Sequence, residues 1–269
     1  LRGPVKEDVL LPIIAKYDGV ICGDDHYTRK VIEKGKAGKL KVISKYGIGL
    51  DKIDLKAALE FEIKVTNCPG VNHMAVAEHI WALILAFYKN IPDEINYTRY
   101  GKWERLIGHE IYGKKIGVAG LGRIGKEVLI RAKAFGLKLY AFDKYIDTEF
   151  VKEHSIKICN TLEKLFSTTD IISLNMNLNK ENKKCITKEI LDNHTKRGLL
   201  LINSARGELV DEKAIVYGIK NKILDGYLTD VLNEEPMQKG HPFLDYNNII
   251  ITPHIGSRTY ERVERQGLM

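Results

Sequence analysis

The sequence predicts an α/β fold in which helices cover both faces of a doubly wound parallel sheet. From residue 115 onward, short apolar segments alternate with segments of helical periodicity, and this alternation is typical of parallel sheets. The apolar segments are continuous, as expected for strands buried on both faces. The predicted strands are Lys115–Ala119, Lys138–Phe142, Asp170–Leu174, Leu199–Asn203, Gly226–Asp230 and Asn248–Ile251.

The helix predicted between the first two of these strands spans Ile124–Phe135. Gly136 follows it directly and is a natural stop for a helix. One side of this helix is apolar, as expected for a helix that packs on a sheet. That side is formed by Ile124, Val128, Ala132 and Phe135.

The first ninety residues show weaker patterns. Residues 18–23 and 40–44 look like strands, and Glu78–Tyr88 looks like a helix. This helix is apolar nearly all round, which predicts a buried position between domains or subunits. Ile91-Pro92 should break it, and the polar residues that follow indicate a domain boundary within residues 91–113.

Composition excludes several classes of protein. No apolar segment approaches the roughly 18 residues that a spanning helix needs. The 42 basic residues are interleaved with 35 acidic ones, which favours a lysine-rich surface over a nucleic-acid footprint. The four cysteines are scattered without a C-x-x-C pair, so we expect reduced thiols in a cytoplasmic protein. No cluster of His, Cys or Asp has the spacing of metal ligands.

A glycine-rich motif follows the first strand of the sheet. Residues 120–125 read G-x-G-x-x-G and open the helix described above. Gly120 would permit the tight turn, Gly122 would let the backbone approach a pyrophosphate, and Gly125 would allow close packing of helix on strand. The helix start supplies N–H groups and positive dipole for the phosphates.

Asp143 ends the next strand and completes the pattern of a dinucleotide site. Its carboxylate can accept hydrogen bonds from the hydroxyls of the adenine ribose, and its charge would repel a 2′-phosphate. These features favour NAD over NADP, although Lys144 weakens the preference a little. The alternative is a glycine turn beside an unrelated surface aspartate.

Three further residues follow strands at the edge where ligands of open α/β sheets bind. They are Arg206 in Asn-Ser-Ala-Arg-Gly, Glu235 in Asn-Glu-Glu-Pro, and His254 in Thr-Pro-His-Ile-Gly. The other histidines have no comparable context, and we expect them to be surface or packing residues.

With these three motifs in this order, the sequence resembles the D-isomer-specific 2-hydroxyacid dehydrogenases. The resemblance covers essentially the whole chain. Residues 45–54 look like the substrate loop of the family. Residues 67–72 and 76–79 resemble the segment that leads into its long helix.

The resemblance implies a catalytic group whose chemistry suits a 2-oxo acid. Such a substrate needs its carboxylate held, its carbonyl polarised and a proton delivered to the developing alkoxide. Arg206 suits the first two needs because a guanidinium forms paired hydrogen bonds with carboxylates. His254 suits the third because imidazole exchanges protons near neutral pH, and Glu235 would pair with the imidazole and orient it. NAD supplies the hydride.

Binding residues also follow from the resemblance. The backbone N–H groups of Gly47, Ile48 and Gly49 are similar to those that hold the substrate carboxylate, and Asn72 lies where some members contact substrate. Lys45 either faces a substrate phosphate or is a solvated lysine at a strand end. On the cofactor side, the resemblance adds Arg123, Ile124, Met176, Ser204, Ala205, Gly256 and Asp230, the last near the nicotinamide ribose or the catalytic pair.

By this resemblance, the chain forms two Rossmann-like domains with the active site in a cleft between them. Residues 1–90 would be the substrate domain, incomplete at its N-terminus. Residues 91–255 would be the NAD-binding domain, and residues 256–269 would begin the return to the substrate domain. The apolar helix before residue 90 suggests a homodimer or a higher homo-oligomer, with no nucleic-acid or membrane partner.

The resemblance leaves three functions open. The substrate loop looks most like those of phosphoglycerate dehydrogenases and hydroxypyruvate reductases, and Lys45 favours a phosphorylated substrate. D-3-phosphoglycerate dehydrogenase of serine biosynthesis is thus preferred, and hydroxypyruvate or glyoxylate reductase is the alternative. A third possibility is an NAD-responsive binding module like the co-repressor relatives. Residues 174–178 replace the family's His-x-Pro-Leu by Leu-Asn-Met-Asn-Leu, so the cofactor-side loop should differ in detail.

Overall fold

The computed structural model describes residues 4–269, and these residues form two compact units. The first unit comprises the residues up to Asn72 together with Thr259–Met269, and the second is His73–Arg258. From the sequence we placed the first boundary between residues 90 and 91, so the structure moves a whole helix into the second unit.

A three-stranded parallel sheet in the order β1-β2-β3 forms the centre of the first unit. Helices pack against it around an apolar cluster that includes Val31, Ile32 and Ile43, all fully buried. The third strand was not predicted from the sequence, because its three residues carry little apolar signal. The elements are α1 (Glu7–Leu10), β1 (Gly19–Cys22), α2 (Arg29–Lys36), β2 (Val42–Lys45), α3 (Leu55–Glu60), β3 (Lys64–Thr66) and, later in the chain, α11 (Tyr260–Gly267).

The second unit contains a seven-stranded parallel sheet in the order β10-β9-β8-β7-β4-β5-β6. The strand order reverses at β4, which lies between β5 and β7. Such a reversal is the place where ligands bind in open α/β sheets. The strands are β4 (Lys115–Ala119), β5 (Lys138–Phe142), β6 (Lys157–Ile158), β7 (Ile171–Leu174), β8 (Leu199–Asn203), β9 (Leu224–Thr229) and β10 (Ile249–Ile251).

Both faces of this sheet are covered, which confirms the predicted doubly wound arrangement. Side chains alternate between the two faces along a strand, and β8 shows the consequence. Leu199 and Leu201 belong to one apolar cluster, whereas Leu200 and Ile202 belong to another. The helices are α4 (His73–Tyr88), α5 (Ile91–Arg99), α6 (Arg123–Ala134), α7 (Thr148–Glu153), α8 (Leu162–Thr168), α9 (Lys188–His194) and α10 (Glu212–Lys220).

Helix α4 is the long apolar helix predicted from the sequence, and many of its side chains pack in the core of the second unit. Ile80 and Ile84 are fully buried in the same cluster as the core residues of α6. The indole N–H of Trp81 donates to the carbonyl of Val128 at 3.2 Å. The core of this unit therefore buries one side of α4, whereas Leu85 and Phe87 are only partly buried and Met74 is exposed. The predicted break at Ile91-Pro92 is instead the start of α5, because proline is tolerated in the first helical turn.

None of the helices within residues 4–269 combines the length and apolar character needed to cross a bilayer.

Candidate active site

Three loops at the carboxyl edge of the second sheet carry the predicted catalytic residues. Arg206 follows β8, Glu235 follows β9 and His254 follows β10. Because β8 pairs with β9 and β9 with β10, all in parallel, these loops emerge side by side at the same edge.

Glu235 and His254 are hydrogen-bonded to each other in this structure. The Oε2 atom of Glu235 lies 2.8 Å from Nδ1 of His254. Its other oxygen, Oε1, accepts the backbone N–H of Leu232 at 3.0 Å, which fixes the carboxylate. With Nδ1 carrying the proton that the carboxylate accepts, Nε2 is the atom through which the imidazole can exchange a proton. The two side chains are 36% and 39% exposed, so a small ligand can reach them.

Arg206 lies on a turn that a buried amide holds in place. Asn203, the last residue of β8, is fully buried. Its Nδ2 donates to the carbonyl of Arg206 at 2.9 Å, and its Oδ1 accepts the N–H of Ala205 at 3.1 Å. The guanidinium Nη1 donates to the carbonyl of Ala205 at 2.7 Å. The sequence contained one signal for Asn203, namely an amide that ends an otherwise apolar strand.

The Arg206 turn and the Glu235 loop are in close contact through Gly207. A Cβ atom at this glycine would lie 2.0 Å from the carbonyl carbon of Leu232 and 2.4 Å from the nitrogen of Asn233. Real Cβ atoms do not approach backbone so closely, so any side chain here would push the two loops apart. Gly207 thus keeps Arg206 beside the loop that carries Glu235.

Asp230 lies at the end of β9, 3% exposed. Its Oδ1 accepts the hydroxyl of Thr252 at 2.6 Å and the N–H of Ile255 at 2.9 Å. Its Oδ2 accepts the N–H of Gly256 at 2.7 Å. Burial alone would raise the pKa of Asp230, but these hydrogen bonds and the neighbouring His79 outweigh burial and lower it. Asp230 is therefore an ionised group that holds the backbone immediately after His254.

His79 joins this cluster from helix α4. Its Nε2 lies 2.9 Å from the Thr252 hydroxyl and 3.5 Å from Oδ1 of Asp230. From the sequence we treated His79 as a packing residue and gave Thr252 no role. The contact spans 173 positions of the chain, and no local pattern reveals such a pair.

The glycine motif has the three properties predicted for a dinucleotide loop. Gly120 has φ +102° and a Cβ there would lie 2.7 Å from the backbone of Asn175, whereas a Cβ at Gly125 would lie 2.1 Å from the carbonyl oxygen of Gly120. A Cβ at Gly122 would meet no protein atom within 4 Å. Helix α6 begins with the next residue. The loop therefore leaves space for a ligand at Gly122, in front of a helix N-terminus that favours phosphate.

Asp143 lies beside this loop, at the end of β5. Its Oδ2 accepts the N–H of Leu121 at 2.5 Å and its Oδ1 accepts the N–H of Tyr145 at 2.8 Å. The ammonium of Lys144 is 3.6 Å from a carboxylate oxygen of Glu181 in the loop after β7. The carboxylate of Asp143 is thus held next to the glycine motif, where the hydroxyls of a ribose would reach it. These residues fit NAD.

The segment that departs from the family pattern is held by hydrogen bonds instead of a proline. Asn175 donates its backbone N–H to the carbonyl of Ala119 at 2.7 Å. Its side-chain Nδ2 donates to the carbonyl of Ser173 at 3.1 Å. Met176 packs against the apolar core beside it. In the neighbouring loop, the hydroxyl of Ser204 is buried without a hydrogen-bond partner among the described residues, so a bound ligand would satisfy it.

The predicted substrate loop lies in the first unit, at the end of β2. The carbonyl of Gly47 accepts the N–H of Cys68 at 2.9 Å, and that of Ile48 accepts Nδ2 of Asn67 at 2.8 Å. Gly49 follows in the same turn. In the same unit, Oδ1 of Asn72 is buried and accepts no hydrogen bond from the described residues.

Lys45 is buried, so it is not the solvated lysine that was one of the two alternatives considered from the sequence. Its side chain is 5% exposed, and its ammonium lies 2.6 Å from Oδ1 of Asp24. It also donates to the carbonyl of Gly23. The ammonium therefore already has a carboxylate partner and a carbonyl partner, and its contact with a substrate phosphate stays a prediction.

No group of three or more His, Cys, Asp or Glu side chains suited to a metal ion occurs within residues 4–269.

Comparison with known proteins identifies the family. Residues 81–256 match the family model described as "D-isomer specific 2-hydroxyacid dehydrogenase, NAD binding domain". The chain belongs to the D-isomer-specific 2-hydroxyacid dehydrogenases. This match confirms the predicted family and NAD as the cofactor of the second unit.

Relatives of this chain carry different names. The chain is 38% identical over 267 residues to "D-3-phosphoglycerate dehydrogenase" of Methanocaldococcus jannaschii. The aligned residues cover 98% of this chain and 50% of that protein. The chain is 36% identical over 270 residues to "Hydroxypyruvate reductase" of Thermotoga maritima, covering 98% of the chain and 86% of that protein. The chain therefore spans about half the length of the phosphoglycerate dehydrogenase.

A solved structure shows the same fold. The structure of the TT0316 protein from Thermus thermophilus is 34% identical in sequence, with a TM-score of 0.88. The similarity covers 97% of this chain and 82% of the other.

Proposed function

We propose that this protein transfers a hydride between NAD and a small 2-hydroxy or 2-oxo acid. The observation that carries the proposal is the Glu235–His254 pair at 2.8 Å, beside the loop of Arg206 at the carboxyl edge of an NAD-binding sheet. An orienting carboxylate, an imidazole and a guanidinium are the groups that this reaction needs.

Each residue has one task in the proposed reduction. Arg206 binds the carboxylate and carbonyl oxygens of the 2-oxo acid through paired hydrogen bonds. Glu235 holds the Nδ1–H of His254, so that Nε2 donates the proton to the oxygen that becomes the alcohol. Bound NADH supplies the hydride. In the oxidative direction, Nε2 removes the hydroxyl proton instead.

The remaining predicted contacts serve to orient the two ligands. Gly120, Gly122, Arg123, Ile124 and Gly125 would face the pyrophosphate of NAD, and Asp143 its adenine ribose. The N–H groups of residues 47–49 and the side chain of Asn72 would bind the substrate. Other contacts proposed for the nicotinamide end are Met176, Ser204, Ala205, Asp230 and Gly256.

Two substrates are supported by separate observations. Similarity to a phosphoglycerate dehydrogenase over 98% of the chain supports 3-phosphoglycerate, and hence a role in serine biosynthesis. Hydroxypyruvate is supported by similarity to a reductase of which the chain covers 86%. The pairing of Lys45 with Asp24 also supports hydroxypyruvate, because it removes the charge expected to meet a phosphate. We retain 3-phosphoglycerate as the first candidate.

Initial rates of NADH oxidation distinguish these candidates. Phosphohydroxypyruvate, hydroxypyruvate, glyoxylate and pyruvate are supplied separately to the wild-type protein. A kcat/KM at least tenfold higher for the phosphorylated acid, about 1.4 kcal/mol of discrimination, identifies a phosphoglycerate dehydrogenase. A preference for hydroxypyruvate or glyoxylate identifies a reductase. Measurable NADH binding without turnover of any of the four would instead favour an NAD-responsive binding module.

A homodimer in a reducing compartment completes the proposal. Large apolar side chains are exposed on the segment from residue 100 to residue 112, among them Trp103 at 83% and Ile107 at 93%. Large apolar side chains exposed in this way are typical of protein–protein contacts. The cysteines Cys22, Cys68, Cys159 and Cys185 carry free thiols, which fits the cytoplasm.

A further inference from the structure

A directed chain of hydrogen bonds runs from helix α4 to the loop of His254. Thr252 has one hydroxyl proton, and it donates this proton to Oδ1 of Asp230 at 2.6 Å. The same hydroxyl oxygen lies 2.9 Å from Nε2 of His79. Because the only hydroxyl proton is already donated to the carboxylate, this second contact requires a proton on Nε2 of His79. The order of donation is therefore His79 to Thr252 to Asp230.

The chain ends on the backbone that carries His254. Asp230 accepts the N–H groups of Ile255 and Gly256, the two residues that follow His254. His254 itself has φ +54°, a left-handed conformation that a non-glycine residue adopts only when its surroundings impose it. The ionised carboxylate of Asp230 supplies such a constraint directly after it.

Packing leaves this loop little freedom to move. A Cβ atom at Gly256 would lie 2.9 Å from Oδ2 of Asp230 and 3.2 Å from Cδ2 of His79. The glycine backbone, the carboxylate and the imidazole are thus in direct contact. A change in the orientation of Asp230 or His79 would be transmitted to the turn at residues 255–256.

We propose that His79 and Thr252 are positioning residues that act through Asp230 on His254. By holding the carboxylate of Asp230 against the N–H groups of Ile255 and Gly256, they keep the imidazole in the orientation required for proton transfer. This inference rests on the proposed function, because it assumes that His254 delivers the proton.

The decisive variant is Thr252→Val, which removes the hydroxyl but keeps the shape of the side chain. Thr169→Val is the matched control. Thr169 is fully buried, and its hydroxyl donates to the carbonyl of Leu165 at 2.9 Å. Thr169 directly precedes β7, so it lies at the amino ends of the strands, whereas Thr252 lies at their carboxyl ends. Thr252→Ser restores the hydroxyl and tests for rescue.

We expect T252V to lower kcat by roughly 10- to 100-fold, since a misplacement of about 1 Å can cost this much. The Kd of NADH, measured by fluorescence, should change much less than kcat. T252S should recover most of the rate, and T169V should keep the wild-type kcat. Amide hydrogen exchange at residues 255–256, measured without ligand, should be faster in T252V than in wild type or T169V.

Equal kcat values for T252V and T169V would overturn the inference, as would a T252S variant no faster than T252V. If T252V fails to fold, His79→Gln and His79→Leu provide the same comparison, because glutamine keeps an N–H donor and leucine does not. The proposed function fails separately: the wild-type protein would then reduce none of the four acids. If the wild type is active and T252V has the same kcat, the proposed function is supported and only the positioning role of Thr252 is rejected.

Discussion

At the scale of single residues, the pairing of His254 with Glu235 makes the imidazole the group whose loss should affect turnover most. We expect His254→Gln to lower kcat by roughly 10²- to 10⁴-fold, which is the typical contribution of a positioned proton donor. NADH binding should be nearly unchanged, because the side chain acts on the substrate oxygen. Steady-state kinetics and NADH fluorescence measure the two effects.

The control for this variant is His194→Gln, at an exposed histidine at the end of α9. It should keep the wild-type rate. If H254Q turned over as fast as H194Q, the assignment of His254 as the proton donor would be wrong.

The lowered pKa of Asp230 predicts how its contribution to stability depends on pH. A carboxyl group whose pKa in the folded state is below its ordinary 3.8 stabilises the fold when ionised, so this contribution is present above 3.8 and is lost as the pH falls through the folded value. The free energy of unfolding of wild type should therefore exceed that of Asp230→Asn by a constant amount between about pH 7 and pH 5. Below pH 3.8 the difference should narrow.

Urea unfolding of both proteins across this range is the measurement. A difference that grew on acidification would mean that the pKa of Asp230 is raised instead, with burial outweighing its hydrogen bonds.

The positions of the candidate catalytic residues were predictable from the sequence, because these residues lie at strand ends. Arg206, Glu235 and His254 each follow an apolar strand, and parallel pairing brings those ends to one edge. Asn203 and Thr252 were missed because their importance lies in partners that only folding brings near. The partner of Lys45 was missed for the same reason, since Asp24 lies 21 positions earlier in the chain.

At the scale of elements, the turn from β4 to α6 contains glycines that are needed for two different reasons. A Cβ at Gly122 would meet no protein atom, whereas one at Gly125 would overlap the carbonyl of Gly120. We therefore expect Gly122→Ala to keep the stability of wild type but to weaken NADH binding. Gly125→Ala should lower the free energy of unfolding, by roughly 1–3 kcal/mol as for other overpacked sites.

Each variant is the control for the other in thermal unfolding and NADH titration. If G122A bound NADH as tightly as wild type, the space in front of this glycine would not be where the cofactor's phosphates bind.

Elements with strong periodicity were the ones that the sequence predicted well. β4, β5 and β8 have the predicted bounds because each is a continuous apolar segment with a clear break at both ends. Helix α4 begins at His73, earlier than predicted. Ala75 and Val76 already lie on its buried face, but they precede the continuous apolar segment from which the helix was predicted. The two-residue strand β6 has too little sequence to show any pattern.

At the scale of the whole molecule, the division into units depended on packing that the sequence does not express. Helix α4 is apolar on all sides, and that pattern is equally compatible with a domain core and with an interface. The contact of Trp81 with Val128 assigns the helix to the core of the second unit.

The exposed segment from residue 100 to residue 112 is the surface that we propose for the dimer. Tyr100, Trp103 and Ile107 are each more than 80% exposed, and water is an unfavourable environment for so much apolar area. We expect the double variant Trp103→Glu and Ile107→Glu to sediment with half the mass of wild type, because two charges cannot be buried unpaired in an interface. Leu59→Glu, at an 82% exposed leucine of α3 in the first unit, is the control and should sediment as wild type does. Sedimentation velocity over a range of concentrations makes the comparison, and a double variant that remained as large as L59E would place the interface elsewhere.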